Sequence, residues 1–508
     1  MPRPADLIIH SGKLWDGRHR EGVDAIAVAA GRILATGTSA DLEPLRSEKT
    51  SMIDAGARRV MPGLIDSHLH MVRAGLRWDV DIRWHDLTSL SQGLELITRA
   101  GEDRPGGQWI AVLGGWHPGQ FSEGRAPSRA ELDEAAPDHP VFVQRNYIEA
   151  YLNTRALQEM GWDKGRMPEW PAALQLLREK LTAPDPDTRA ASTEGMLRDL
   201  NRMGLTGCVD AGGFGMDPDA YRAFSDLVAR GEQGFRARLL VGVGRPGDEP
   251  AQIDAWMRLT APGSGDETLR YLGAGEVLLM GAHDMEGLDR RDISGQVEPL
   301  ATMTGRLAAA GWPVHIHAIL DDSISAVLDA WEQTGRDAEL SELRYTITHA
   351  DQIGATNLER IRAMGLGITV QNGMAFRGGD SVESWGEDRV KGAPPLRTML
   401  DHGIPVGAGT DGTVVSSPNP WPCISWMVSG DWLGDQRLSR DEALRLYTSG
   451  SAWFSFEEET RGNLRPGSHA DLVVLSEDPL TIPEDRIRSI ESVLTLVGGK
   501  TFHDVLDR

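Results

Sequence analysis

Cysteine is nearly absent from this chain. Only Cys208 and Cys423 occur in 508 residues, both in apolar segments, so a disulfide framework and a cysteine-built zinc site are excluded. Positive charge is also scarce: 52 Lys and Arg face 75 Asp and Glu, for a formal net charge of -23. A field of that sign opposes nucleic acid and anionic membrane, and neither is expected as a partner. No uninterrupted apolar run reaches the roughly 18 residues of a membrane span, and the opening MPRPADLIIHSG lacks the apolar core of a signal peptide. A cytoplasmic location is the expectation.

Glycine and proline, in contrast, are plentiful, with 58 and 28 copies spread along the whole length, as in a globular chain with many turns. The first sixty residues read as short strands and tight turns (ADLIIHSGKLWDG, DAIAVAAGRILATG, SMIDAGARRVMPG). The far end repeats that character in RGNLRPGSHADLVVLSEDPL and ESVLTLVGGKTFHDV. The two ends are therefore expected to form one composite β domain, residues 1–62 plus 458–508, with 63–457 folded between them.

The middle alternates amphipathic and apolar segments. TEGMLRDLNRMGLTGCVDAG, AATMTGRLAAAGWPVHIHAI, LERIRAMGLGITVQN and PLRTMLDHGIPVGAGTD each give a helix, a Gly-containing turn and a short apolar strand, the pattern of a parallel β/α fold. Doubly wound sheets share this pattern. The recurrence of His, Asn or Asp at successive strand ends favours a (β/α)₈ barrel of the TIM type, whose site collects residues from the carboxyl ends of its strands. The tryptophan-rich stretch at about 76–190 does not fit the unit and reads as a large insertion after the first strand.

Four places carry the chemistry. They are His68 and His70 in PGLIDSHLH, His315 and His317 in WPVHIHAIL, His349 in RYTITHAD, and Asp411 in VGAGTDG. In a strand alternate side chains share a face, so His68 and His70 converge, as do His315 and His317. Zinc accepts neutral imidazole nitrogen and carboxylate oxygen at about 2.0 to 2.2 Å, and catalytic sites leave a position open for water.

PGLIDSHLH, THAD, the late GTDG and the closing GNLRPGSHADLVVLSEDP resemble the amidohydrolase superfamily. VHIHAILDD, GGWHPGQF, LDEAAPDHPVFV and LNTRAL resemble its family 3 branch, the YtcJ-like group that includes an N-substituted formamide deformylase. The resemblance covers almost the whole chain. It implies a barrel carrying one or two divalent metals and a β domain made from both chain ends. It also implies metal ligation by His68, His70, His317, His349 and Asp411, with Asp411 taking the proton of the nucleophilic water. Asp411, His349 and His317 make up the catalytic set so implied, and His315 occupies a variable position.

Two departures restrict the transfer. Many relatives place a carboxylated lysine on the fourth strand, but no lysine lies between Lys180 and Lys391, and the corresponding segment reads GAGEVLLMGAHDMEG. A lysine-carbamate bridge is excluded. The expectation is one Zn²⁺ per chain, held mainly by His68, His70, His317 and Asp411; the alternative is a replacement supplied by Glu276, His283 or Asp284. The second departure is QRNYIEAYLNTRAL, where Tyr147, Ile148 and Glu149 stand in a region that commonly carries histidine in relatives.

The reaction expected is metal-dependent hydrolysis of a non-peptide carbon–nitrogen bond in an amide, N-formyl compound or cyclic amide. Metal-activated water would be the nucleophile, Asp411 would shuttle its proton, and His349 would complete a second metal site or polarise the carbonyl. A small-molecule substrate with an apolar part is expected, with tryptophans in GGWHPGQF and PNPWPCISWM near strand ends serving either that substrate or the core. A homodimer is compatible with the sequence. The fold alone would also serve a lyase, decarboxylase or ester hydrolase, or a binding protein with a retired site.

Overall fold

The apolar runs of the middle region form eight short parallel strands in a computed structural model, which describes residues 3–506 except 148, 164–166, 170–171, 182–185, 214–215, 217, 232–233, 285–291 and 372. In chain order they are β1 Leu64–Leu69, β2 Leu205–Asp210, β3 Arg236–Val241, β4 Leu269–Ala274, β5 His315–Leu320, β6 Thr346–Gln352, β7 Gly367–Gln371 and β8 Val406–Gly409. The first four pair in the order 4-3-2-1 and the last four in the order 5-6-7-8. Every neighbouring pair within these two sheets is parallel.

The two sheets meet at both edges. Ala274 at the end of β4 bridges to Val314 just before β5. At the other edge Asp411 N donates to His68 O at 2.9 Å and His70 N donates to Gly412 O at 3.0 Å. Gly409 permits this approach, because a Cβ there would stand 2.5 Å from His68 N and 2.8 Å from Asp66 Oδ1. Parallel strands covered on both faces read as continuous apolar runs, and every residue of β1, β2, β3 and β5 is buried. Helices such as Val297–Ala309 and Asp321–Thr334 turn their apolar faces onto them.

Strands from the two chain ends share one sheet. Lys13–Leu14, Arg59–Pro62, Leu472–Leu475, Ser492–Val497 and Lys500–Asp504 form five adjacent strands in that order, and a four-stranded sheet from residues 7–54 packs nearby. Leu7, Ile9, Val28, Leu472, Val474 and Leu494 join in one apolar cluster. Among the strands and turns of the first sixty residues stand the short helix Ser39–Leu42, which Thr38 and Asp41 close with a reciprocal capping box, and the single 3₁₀ turn Glu43–Leu45.

Between β1 and β2 lies a unit with its own three-stranded sheet, Ile110–Val112, Val141–Gln144 and Ala150–Leu152, and its own core around Trp84, Trp116 and Phe121. Among the described residues no helix is long and apolar enough to cross a membrane.

Candidate metal centre

The carboxyl ends of five strands converge on one buried cluster. β1 ends at Leu69, so His68 leaves from the strand and His70 from the residue that begins the helix Met71–Gly75. β5 supplies His317 and β6 supplies His349, while Glu276 follows β4 by two residues and Asp411 follows β8 by two. All six of these side chains are at most about a twentieth exposed.

Glu276 stands at the centre. Its Oε1 lies 3.4 Å from His70 Nε2, and its Oε2 lies 3.3 Å from His68 Nε2, 3.6 Å from His317 Nδ1 and 3.6 Å from His349 Nε2. Asp411 faces the strand-one pair, with Oδ1 3.2 Å from His70 Nε2 and 3.5 Å from His68 Nε2. Three overlapping donor groups result: His68, His70 and Asp411; His68, Glu276 and His349; and Glu276, His283 and His317. His317 thus sits with Glu276 rather than directly with the His68, His70 and Asp411 group.

The hydrogen-bond inventory shows what this cluster lacks. His68 Nε2, His70 Nε2, His317 Nδ1, His349 Nε2, Glu276 Oε2 and Asp411 Oδ1 are all buried without a hydrogen-bond partner. Orphaned buried polar atoms are costly, and here six of them, nitrogen and oxygen only, point at one place. Such a set fits a divalent cation that accepts imidazole and carboxylate.

Neighbouring groups fix the orientation of these donors. His70 Nδ1 lies 2.9 Å from Gly212 O, which leaves Nε2 for the cluster. His317 is held by Asp284, whose Oδ1 lies 2.8 Å from Nε2, while Asp284 Oδ2 accepts from Ile319 N and Leu320 N. The ring of His283 stacks on His317 at 3.8 Å. Asp66 lies beneath the cluster and accepts from His68 N and from Thr410 N and Oγ1, joining β1 to the end of β8. Asp210, at the end of β2, accepts from Val72 N and Gly212 N. The backbone is strained in the same place, for His349, Ala350 and Asp411 adopt φ of 80°, 51° and 56°.

The electrostatics follow from burial and crowding. Burial works against a charged His68, yet Asp411 and Glu276 beside it raise its pKa to about 10. His317 is likewise opposed by burial and raised to about 10 by Asp284 and Glu276. Burial, then the charge of His317, lowers His349 to about 4. Burial opposes the charge of Asp411 and Glu276, but the facing imidazoles hold both well below the carboxylate range. Burial lifts Asp66 to about 7, outweighing the hydrogen bonds from Thr410 and His68 N and the charge of His68.

The other sequence candidates fall elsewhere. His315 lies deeper, beside Phe454, with both ring nitrogens buried and unpartnered. Burial and the charge of His68 lower it to about 3. Glu149 pairs with Arg145 and Tyr151, Tyr147 lies between the guanidinium groups of Arg73 and Arg178, and Ile148 is outside the described residues. Trp116 and Trp421 are core residues whose indole N–H groups donate to Gln144 O and Met203 O, so they do not line a substrate surface. Sequence reasoning did not single out Asp210, although it ends the apolar run TGCVD, the same signal that marked the histidines.

Known proteins resemble this chain along nearly its whole length. A family model described as amidohydrolase family matches residues 51–503. The chain is 26% identical to an N-substituted formamide deformylase of Arthrobacter pascens over 98% of both chains. It is 25% identical to YtcJ of Bacillus subtilis (strain 168) over 95% of this chain and 96% of that one. A crystal structure of an uncharacterized metal-dependent hydrolase from Pyrococcus horikoshii OT3 superposes with a TM-score of 0.70 at 21% identity, covering 94% of this chain and 99% of that one.

Proposed function

Because the chain belongs to the amidohydrolase family, we propose that it is a metal-dependent hydrolase of a carbon–nitrogen bond in a small amide, N-formyl amide or cyclic amide. On this reading the eight strands form the (β/α)₈ barrel and His68, His70, His317, His349 and Asp411 hold the ion around Glu276. The observation that carries it is the convergence of six buried, unpartnered imidazole and carboxylate atoms. The N-formyl choice is supported by likeness to the deformylase.

A divalent ion, for which zinc suits the donor set, supplies Lewis acidity that polarises a carbonyl and acidifies water. The protein's own groups do the rest. Asp411 directs only Oδ1 at the strand-one histidines and stays ionised, so it is placed to take a proton from water and return it to the leaving nitrogen. The carbon–nitrogen bond breaks as the water oxygen joins the carbonyl carbon, giving a carboxylic acid and an amine. Asp284 and His283 keep His317 in one orientation, and Gly212 O does so for His70.

One zinc per chain, as the missing lysine implies, is the simplest loading. A second reading is that Glu276 replaces the missing lysine and would help hold a second ion, since its Oε1 lies near His70 and its Oε2 near His68, His317 and His349. Elemental analysis of purified protein beside an amide panel tests both points. The expected result is at least one equivalent of metal, with amine released and one water taken up per turnover. Decarboxylation or elimination products would replace the hydrolase reading with a lyase, and metal-free protein inactive on every amide would identify a retired site.

A further inference from the structure

The unit between β1 and β2 grips the segment that follows β8. That segment runs from Asp411 to Asn419, where the buried helix Pro420–Ser429 begins, and its Val415 and Ser416 line a small cavity beside His349 and Asp411. Gly115 N donates to Val414 O at 2.8 Å. Further along, Ser417 Oγ and Asn419 Nδ2 donate to the two carboxylate oxygens of Asp86 at 3.0 and 3.4 Å.

The backbones approach too closely for side chains to stand between them. A Cβ on Gly114 would lie 2.2 Å from Val414 O, and one on Gly115 would lie 2.5 Å from His85 Nε2 and 2.6 Å from Thr413 O. Both glycines have positive φ, 112° and 73°, a conformation that costs glycine little. The turn they form is braced from behind: Leu113 N donates to the buried Asp81 at 2.8 Å, and the indole of Trp116 donates to Gln144 O at 2.7 Å. The same unit meets the helix Gly373–Trp385, whose Arg377 lines the cavity as well, through His117 Nε2 and Asp380 Oδ2 at 3.0 Å and through an ion pair of Arg145 with Asp380.

Asp411 needs support of this kind. Its φ of 56° lies in the left-handed region, which a residue with a side chain keeps only where its surroundings hold it. On the near side β1 does so, through Asp411 N to His68 O and His70 N to Gly412 O. On the far side, the carbonyls of Thr413 and Val414 meet the Gly114–Gly115 turn.

We propose that this grip, the Gly114–Gly115 turn together with Asp86, positions Asp411: by fixing the segment after it, the inserted unit sets where the Asp411 carboxylate stands against the metal centre. The inference rests on the role that the hydrolase reading gives Asp411.

The test uses Co²⁺-loaded protein with N-formyl-isopentylamine, and places Gly114→Ala in the parent and in Asp411→Asn. In the parent, Gly114→Ala is expected to lower kcat roughly 10- to 10²-fold, in line with what a misplacement of about 1 Å can cost. KM should be much less affected, metal content unchanged, and the visible absorption of the bound Co²⁺ shifted. In Asp411→Asn the same substitution is expected to move neither kcat nor the spectrum, because its effect runs through the Asp411 carboxylate. Parental kcat and spectrum in Gly114→Ala, or equal losses in both backgrounds, overturn the proposal and leave the hydrolase reading standing. If Gly114→Ala does not fold, Asp86→Ala, a change at an exposed side chain, carries the same comparison with the same outcomes. If the parent does not turn over the amide, the hydrolase reading fails for formamides and the spectra decide alone: a shift confined to the parent background supports the positioning role, and any other pattern overturns it. A parent that binds no Co²⁺ overturns the metal centre and this role together.

Discussion

Removing Asp284 should weaken metal binding without touching any atom proposed to contact the metal. Its Oδ1 is 2.8 Å from His317 Nε2, and its Oδ2 accepts from Ile319 N and Leu320 N at 2.9 and 3.1 Å. The first contact orients the ring so that Nδ1 faces the cluster. A carboxylate partner behind a metal ligand is usually worth roughly 10- to 100-fold in metal affinity. The backbone contacts report separately. Asp284→Ala orphans two buried amides at about 1–3 kcal/mol each, so it should lose both stability and metal affinity. Asp284→Asn keeps an acceptor for the amides but loses the charge, so stability should hold while metal affinity falls. Chelator-competition titration gives the metal dissociation constant, and denaturant unfolding of the apoprotein gives stability. Parental metal affinity in Asp284→Asn, with destabilisation confined to the alanine variant, would show that Asp284 only caps the end of β5.

Three further outcomes are expected. Asp411→Asn keeps an oxygen at the cluster but cannot accept a proton, so kcat should fall roughly 10²-fold or more with KM much less affected; near-parental kcat at full metal occupancy would remove Asp411 from the proton path. His70→Ala should lose metal while remaining folded, because it stands past the end of β1 and outside the apolar core; circular dichroism and elemental analysis check this, and an unfolded product would contradict it. Glu457 is opposed by burial but held well below the carboxylate range by Arg461 and Arg238, which contact it at 3.0 and 2.6 Å. Because its folded-state pKa is depressed, its stabilisation is complete above the unfolded value of about 4.3 and fades as pH falls below it. Melting temperature should therefore drop below about pH 4, and Glu457→Gln should flatten that acid limb while costing about 3–5 kcal/mol at neutral pH by leaving Arg238 and Arg461 short of their shared carboxylate.

The sequence by itself determined the parallel β/α alternation, because helical and strand periodicities are local and each apolar run ends in a polar residue at its carboxyl end. His68, His70, His317, His349 and Asp411 were legible as candidates for that reason: each stands in or just after such a run. The shared sheet of the chain ends was also legible, since both ends carry the same short-strand, Gly-rich pattern. Glu276 was visible only as one of three substitutes for a missing lysine. Its central place depends on the path of the chain after β4, which brings one carboxylate within 3.6 Å of four imidazoles from three strands, and no local pattern encodes distances between segments 40 to 200 residues apart. The same holds for Asp284 behind His317 and for Asp66 across the meeting of β1 and β8. Trp116 and Trp421 make the converse case. Their sequence neighbourhoods place them near strand ends, but a tryptophan's role is set by what packs around it, and the tertiary structure gave both indoles to the core.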